Sequence, residues 1–201
     1  MKTMFPVFRP LVSGLMLAAS IGMCSAAEPS SAQVERAGKI AANLGLGDDG
    51  KQARVGAIIG TFYADLEELQ AAGKSDESAS KAEDDRLGKL KQAFFEKLAG
   101  ELAPGEIEKV KNGLTYNVLP ITYGVYQEML PGLTDEQKQQ ILAWLTEARD
   151  LAITAGSSDK KHECFRKYKG RINNYLSKQG IDMKKAEHDL AERRKQPAAG
   201  K

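Results

Sequence analysis

One periodicity runs through almost the whole chain and constrains its fold more than any other feature. From Val34 onward apolar residues return every three to four positions, and no stretch sustains the every-second-residue alternation of a half-buried strand. Helices with an oily stripe are stable only when the stripes face one another. The sequence therefore predicts an all-α fold, a single-domain bundle of about six to seven helices spanning residues 27–194. The clearest stripe is Val55, Ile58, Ile59, Phe62, Leu66 and Leu69, about five turns of one face, with polar Lys51, Asp65 and Glu68 opposite.

Punctuation agrees with this reading. Val34, Ala37, Ala41 and Leu44 mark a first helix stopped by Gly45, and Asp48 or Asp49 can cap the next. The small polar run Gly73 to Ser80 reads as a surface linker, and Leu87, Leu90, Phe94 and Leu98 line a third helix. Pro104 suits the first turn of a short helix carrying Ile107, Val110 and Leu114 inward. Thr134 and Gln137 form a capping box ahead of Ile141, Trp144, Leu145, Ala148 and Ala152, a helix that Gly156 should close. Ser157 or Ser158 caps the helix of Phe165, Tyr168, Ile172, Tyr175 and Leu176, and Asp182 caps a last charged one before a disordered tail at 195–201. Between these, Thr115 to Pro131 is nearly uncharged and rich in tyrosine. Pro120 biases Leu119 away from helix, so a bend there followed by a short helix is expected.

The first 26 residues read as a secretory signal peptide. Lys2 and Arg9 supply the positive start, Leu11 to Met23 the uncharged apolar core, and Cys24 to Ala27 the small residues around a cut after Ala26. The apolar stretch is shorter than the roughly 20 residues a membrane span needs, so no transmembrane helix is expected in the mature chain. Met23 is a poor residue ahead of a lipidated cysteine, so cleavage is favoured over anchoring through Cys24. The expected location is secreted or periplasmic. Only Cys164 then remains, and no intramolecular disulfide can form.

Charge excludes one class of partner. The chain has 29 Lys and Arg against 27 Asp and Glu, and loss of Lys2 and Arg9 leaves the mature protein formally neutral. Nucleic-acid binding needs a basic field that such a chain lacks. Acidic residues nevertheless outnumber basic ones from Asp48 to Lys109, and the reverse holds from Asp159 to Lys201.

Apparent chemical motifs dissolve in context. Gly45-Leu-Gly-Asp-Asp-Gly50 matches the dinucleotide-binding pattern, but a helix precedes it and two aspartates stand where the pyrophosphate would sit. His162 and Cys164, two apart on a helix, face different ways and cannot share an ion, so neither a metal nor another cofactor is expected. No nucleophile elbow or local catalytic set appears, although carboxylates assembled by folding would leave no local signature.

One surface carries ligand-like chemistry. Tyr168, Arg171 and Tyr175 neighbour each other along one helix edge, with Lys169 and Asn173 on the other side and Gly170 between, where a glycine suggests close approach of a backbone or ligand. Tyr116, Asn117 and Tyr123 in the uncharged segment offer similar groups. Tyrosine faces stack on sugar rings, and Arg, Lys and Asn donate directional hydrogen bonds to hydroxyls or carboxylates. The same spacing also fits boundary core, and both readings stand at this point.

The runs LTYNVLPITYGVYQEMLPGLTDEQKQQILAWLTEARDLAITAGSSDKKH and YKGRINNYLSKQGIDMKK resemble a family of secreted bacterial proteins, domain of unknown function 3826. The likeness covers most of the mature chain and is densest from Leu114 to Lys185. It implies an all-helical protein suggested to bind sugars, with no catalytic residues to carry over. Leu133-Thr-Asp-Glu-Gln137 is also similar to a short box of helical periplasmic stress chaperones, letters that capping alone explains. Three functions are therefore carried forward: a non-catalytic binding module for a glycan or glycan fragment, an envelope protein-interaction or chaperone-like protein, and a polysaccharide-active enzyme with paired carboxylates.

Overall fold

The computed structural model describes residues 27–73 and 80–195 and is all-helical there. The eight helices are α1 (Ser31–Ala42), α2 (Asp49–Gly73), α3 (Ser80–Ala99), α4 (Pro104–Leu114), α5 (Val118–Met129), α6 (Asp135–Ala152), α7 (Ser158–Lys178) and α8 (Met183–Lys195). That is one more than the upper expected number, and the short helices expected after Pro104 and in the tyrosine-rich segment are both present, as α4 and α5. The leader, most of the linker and residues 196–201 lie outside the described residues. No helix among the described residues is long and apolar enough to cross a membrane.

Helix starts follow local chemistry. Ser30 accepts from the Gln33 backbone while the Gln33 side chain accepts from the Ser30 backbone, and Thr134 with Gln137 repeats the device ahead of α6. Asp48, Ser157 and Asp182 accept from the backbone N–H three residues on, opening α2, α7 and α8. Gly45 and Gly47, at φ +67° and +68°, make the first turn of what looked like a nucleotide motif.

Two expectations are corrected. The bend falls not at Pro120 but at Tyr116 and Asn117, whose φ values are 58° and 56°, and Leu119 and Pro120 lie inside α5. Pro120 is the third helical residue, where its absent N–H would have had no intrahelical acceptor. The α6 helix ends at Ala152 rather than near Gly156, and the Lys161 ammonium satisfies the carbonyls at that end, donating to the Ala152 oxygen at 2.9 Å and to that of Ile153 just beyond it at 3.0 Å.

The buried side chains form two clusters. One joins α1 to α4 around Val55, Ile59, Phe62, Phe94, Leu98, Val110 and Leu114, and Ile153 reaches into it from just beyond α6. The other joins α5 to α8 around Ile141, Leu145, Phe165, Ile172 and Leu176. At the seam, where α4 meets α5 and α6, the link is polar. Arg149, 4% exposed, bonds Asn112 Oδ1 at 2.9 Å and Glu108 at 2.8 Å across to α4.

Candidate functional site

The seam gathers a basic and aromatic cluster from four places in the chain. Arg36 comes from α1, Tyr63 from α2, Tyr116 from the α4–α5 turn, and Lys161 with His162 from the first turns of α7. The Arg36 guanidinium carbon lies 5.0 Å from the ring centroid of Tyr63 and 4.4 Å from that of Tyr116. Tyr116 in turn stacks on His162, centroids 5.6 Å apart and planes within 9°. The left-handed backbone at Tyr116 aims this ring. Such a conformation costs a non-glycine residue on the order of 1 kcal/mol or more, and two occur in succession. The Asn117 N–H closes the turn on the Asn112 carbonyl at 2.8 Å, and the buried Thr115 hydroxyl is satisfied by the Lys111 carbonyl at 2.9 Å.

Two polar atoms in this cluster are buried without a hydrogen-bond partner: Arg36 Nη2 and the Tyr63 hydroxyl. Leaving a buried polar group unpaired costs about 1–3 kcal/mol. Burial also pushes the Tyr63 phenol up to about 12, so it keeps its proton and remains a donor. Arg36 forms no ion pair with any described carboxylate; Glu35 is taken by Lys39, and Glu67 accepts from Gln33. Lys161 is 4% exposed, and burial followed by the charge of Arg36 lowers its ammonium to about 8. The seam therefore holds two neighbouring cations, neither of them ion-paired with a carboxylate among the described residues.

Arg36 forms a wall shared by two clefts. One, about 850 Å³, has Asn43, Asn112 and Asn117 with Lys39 and Lys109 on its sides. The other, about 460 Å³, is bounded by Tyr63, Gln70 and Lys161. Both volumes fall in the range of about 300–1,000 Å³ usual for small-molecule sites.

The residues singled out from sequence are divided among three places. Tyr116 and Asn117 belong to the seam. Tyr168, Arg171 and Tyr175 come together on the α6–α7 face around Trp144. Arg171 covers the indole at 4.5 Å and lies 3.6 Å from Glu147, and Tyr175 meets the indole edge-on at 5.2 Å. Burial and then a hydrogen bond from the phenol to Glu147 raise the Tyr168 hydroxyl above its usual range. Lys169 and Asn173 face the groove between α5, α7 and α8, where Asn173 accepts from the Tyr126 hydroxyl at 2.6 Å. Tyr123 is half-buried against the α5–α8 core. No neighbouring backbone approaches Gly170: a Cβ there would meet nothing within 4 Å, because that part of α7 faces outward.

Arg36, Tyr63, Lys161 and His162 were not singled out from sequence as ligand groups. A signal existed for two of them. Arg36 has no acid three or four residues away on α1 and lies one turn before Ile40, and Lys161 lies one turn before Phe165 on the buried stripe of α7. A cation on the core edge without a helical partner must find its partner elsewhere. As for paired carboxylates, those displaced among the described residues move downward, as with Glu101 beside Arg54 and Glu128 beside Arg194. That is the direction opposite to a general acid.

Taken as a class, this is an all-helical protein in two packed groups of helices with a basic, aromatic seam between them. The chain belongs to the family described as protein of unknown function (DUF3826), whose model matches residues 71–196. Tyr116, Lys161 and His162 fall within the matched segment, whereas Arg36 and Tyr63 lie before it. A search among curated proteins finds no match to the chain.

Proposed function

We propose that this protein is a non-catalytic, extracytoplasmic binding module for a glycan or glycan fragment, and that the ligand sits at the seam around Arg36. The observation that carries the reading is the pair of buried donors without an acceptor, Arg36 Nη2 and the Tyr63 hydroxyl, on two residues that line the smaller cleft. A fold keeps unpaired donors of this kind where they serve something other than stability. Side-chain amides of Asn43, Asn112 and Asn117 line the larger cleft, and amides both donate to and accept from sugar hydroxyls. The Tyr116 ring is already in contact with Arg36 and His162, so recognition rests on hydrogen bonds at group edges rather than on ring stacking.

The test separates binding from folding. Tyr63→Phe deletes a hydroxyl that has no partner, so it should leave the melting temperature unchanged or raise it, while weakening glycan binding in calorimetry by about 10-fold or more. Arg36→Met should act in the same direction. A parent protein that binds no member of a broad glycan array would remove the reading, as would a Tyr63→Phe variant with full affinity.

A further inference from the structure

Resting on that reading of the seam, we infer that the ligand it selects is an acidic sugar, a hexuronate residue within an oligosaccharide, whose carboxylate takes up Arg36 Nη2 and the Tyr63 hydroxyl. The charges around the two clefts make the case. Arg36, Lys39, Lys109 and Lys161 face them, against Glu35 and Glu67. Glu35 is occupied by Lys39 at 2.6 Å and Glu67 by the Gln33 amide at 2.7 Å. The local field is thus positive on a protein whose mature chain is formally neutral. A neutral sugar would leave Arg36 and Lys161 as uncompensated neighbours, whereas an anion between them offsets the repulsion and fills both empty donors.

Geometry favours a carboxylate. Tyr63 and Tyr116 lie against the guanidinium, which leaves its edge for ligand contact, and a planar two-oxygen group matches that edge. Arg36 is only half-buried and borders both clefts, so a small rotation of its long side chain turns Nη2 toward the ligand. Because the two clefts share Arg36 and Ala32, an oligosaccharide can extend to either side of the anchored carboxylate.

Three probes decide it by calorimetry on the full chain: an oligohexuronate, the same oligosaccharide as its methyl ester, and a sulfated neutral oligosaccharide of equal length. The acid should bind on the order of 10- to 100-fold more tightly than the ester, and Arg36→Met or Tyr63→Phe should erase most of that difference. Equal binding of acid and ester would overturn the inference while leaving the glycan reading intact, and tighter binding of the sulfated probe would do the same. Failure of all three, together with a blank glycan array, would sink both.

Discussion

Arg149→Ala is expected to lower the unfolding free energy by about 3–4 kcal/mol and to loosen the two groups of helices from each other. Arg149 is the most buried cation of the seam with carboxylate partners. It carries the contact of α6 with α4 through Glu108 and Asn112, and a weaker contact to Asp150 at 3.4 Å. Glu108 is about half exposed, so its carboxylate can return to water when the guanidinium is lost, which keeps the cost at the lower end for a broken buried pair. The Asn112 amide oxygen loses its donor, and the removed side chain leaves a gap. Arg149→Met fills most of that gap and should recover about 1 kcal/mol. Urea denaturation checks the magnitude. Trp144, the only tryptophan, lies in the α5–α8 group, so its fluorescence reports that group while far-UV circular dichroism reports both. In Arg149→Ala the two transitions should separate. Coincident transitions with a loss under 1 kcal/mol would mean that Ile153 and the apolar contacts carry the seam alone.

The second large effect is a rise in stability with pH contributed by Lys161. Burial first and then the charge of Arg36 lower its ammonium to about 8 in the fold, against 10.5 for a lysine in water. Between those values the unfolded chain holds a proton that the folded chain has released, so stability increases with pH. Below about 8 the fold bears the full penalty of a buried charge, and above about 10.5 that penalty is gone. The gain across the window is roughly 2–3 kcal/mol. The tyrosines oppose it at the upper end. Burial holds Tyr63 protonated to about 12 and raises Tyr126 as well, so stability falls once the unfolded phenols ionise near 10. Stability should therefore peak between pH 9 and 10, roughly. In Lys161→Met the rise should vanish and the alkaline fall remain, as read by denaturant titration at fixed pH steps. A parent protein whose stability is flat from pH 7.5 to 9.5, roughly, would contradict the account of this lysine.

The same seam explains which parts of the molecule were legible in the sequence. The stripes Val55, Ile59, Phe62, Leu66 and Ile141, Leu145, Ala148, Ala152 are buried because helical periodicity and burial are one constraint read twice. Thr134 with Gln137 and Asp182 opened helices as their spacing implied, since a cap is a local bond. Pro120 misled because a proline excluded from a helix interior is tolerated in its first turn, and the turn was made instead by Tyr116 and Asn117; asparagine adopts the left-handed region readily, but nothing in the sequence marks the tyrosine before it as doing so. The site was the least legible. Arg36 and Tyr63 are brought to Tyr116, Lys161 and His162 only by the tertiary fold, from parts of the chain far apart in sequence. Separations of that length leave no spacing to recognise. The tyrosines of α7 were conspicuous in sequence because they share one helix, yet within the fold Trp144 packs against Tyr175, Glu147 pairs with Arg171 and Asn173 accepts from Tyr126.

A ligand anchored at the seam is directly visible by crystallography. Crystals of the full chain with the oligohexuronate should show a carboxylate oxygen within hydrogen-bond distance of Arg36 Nη2 and the Tyr63 hydroxyl. Density on the Trp144 and Tyr175 face, with the seam unchanged, would contradict it.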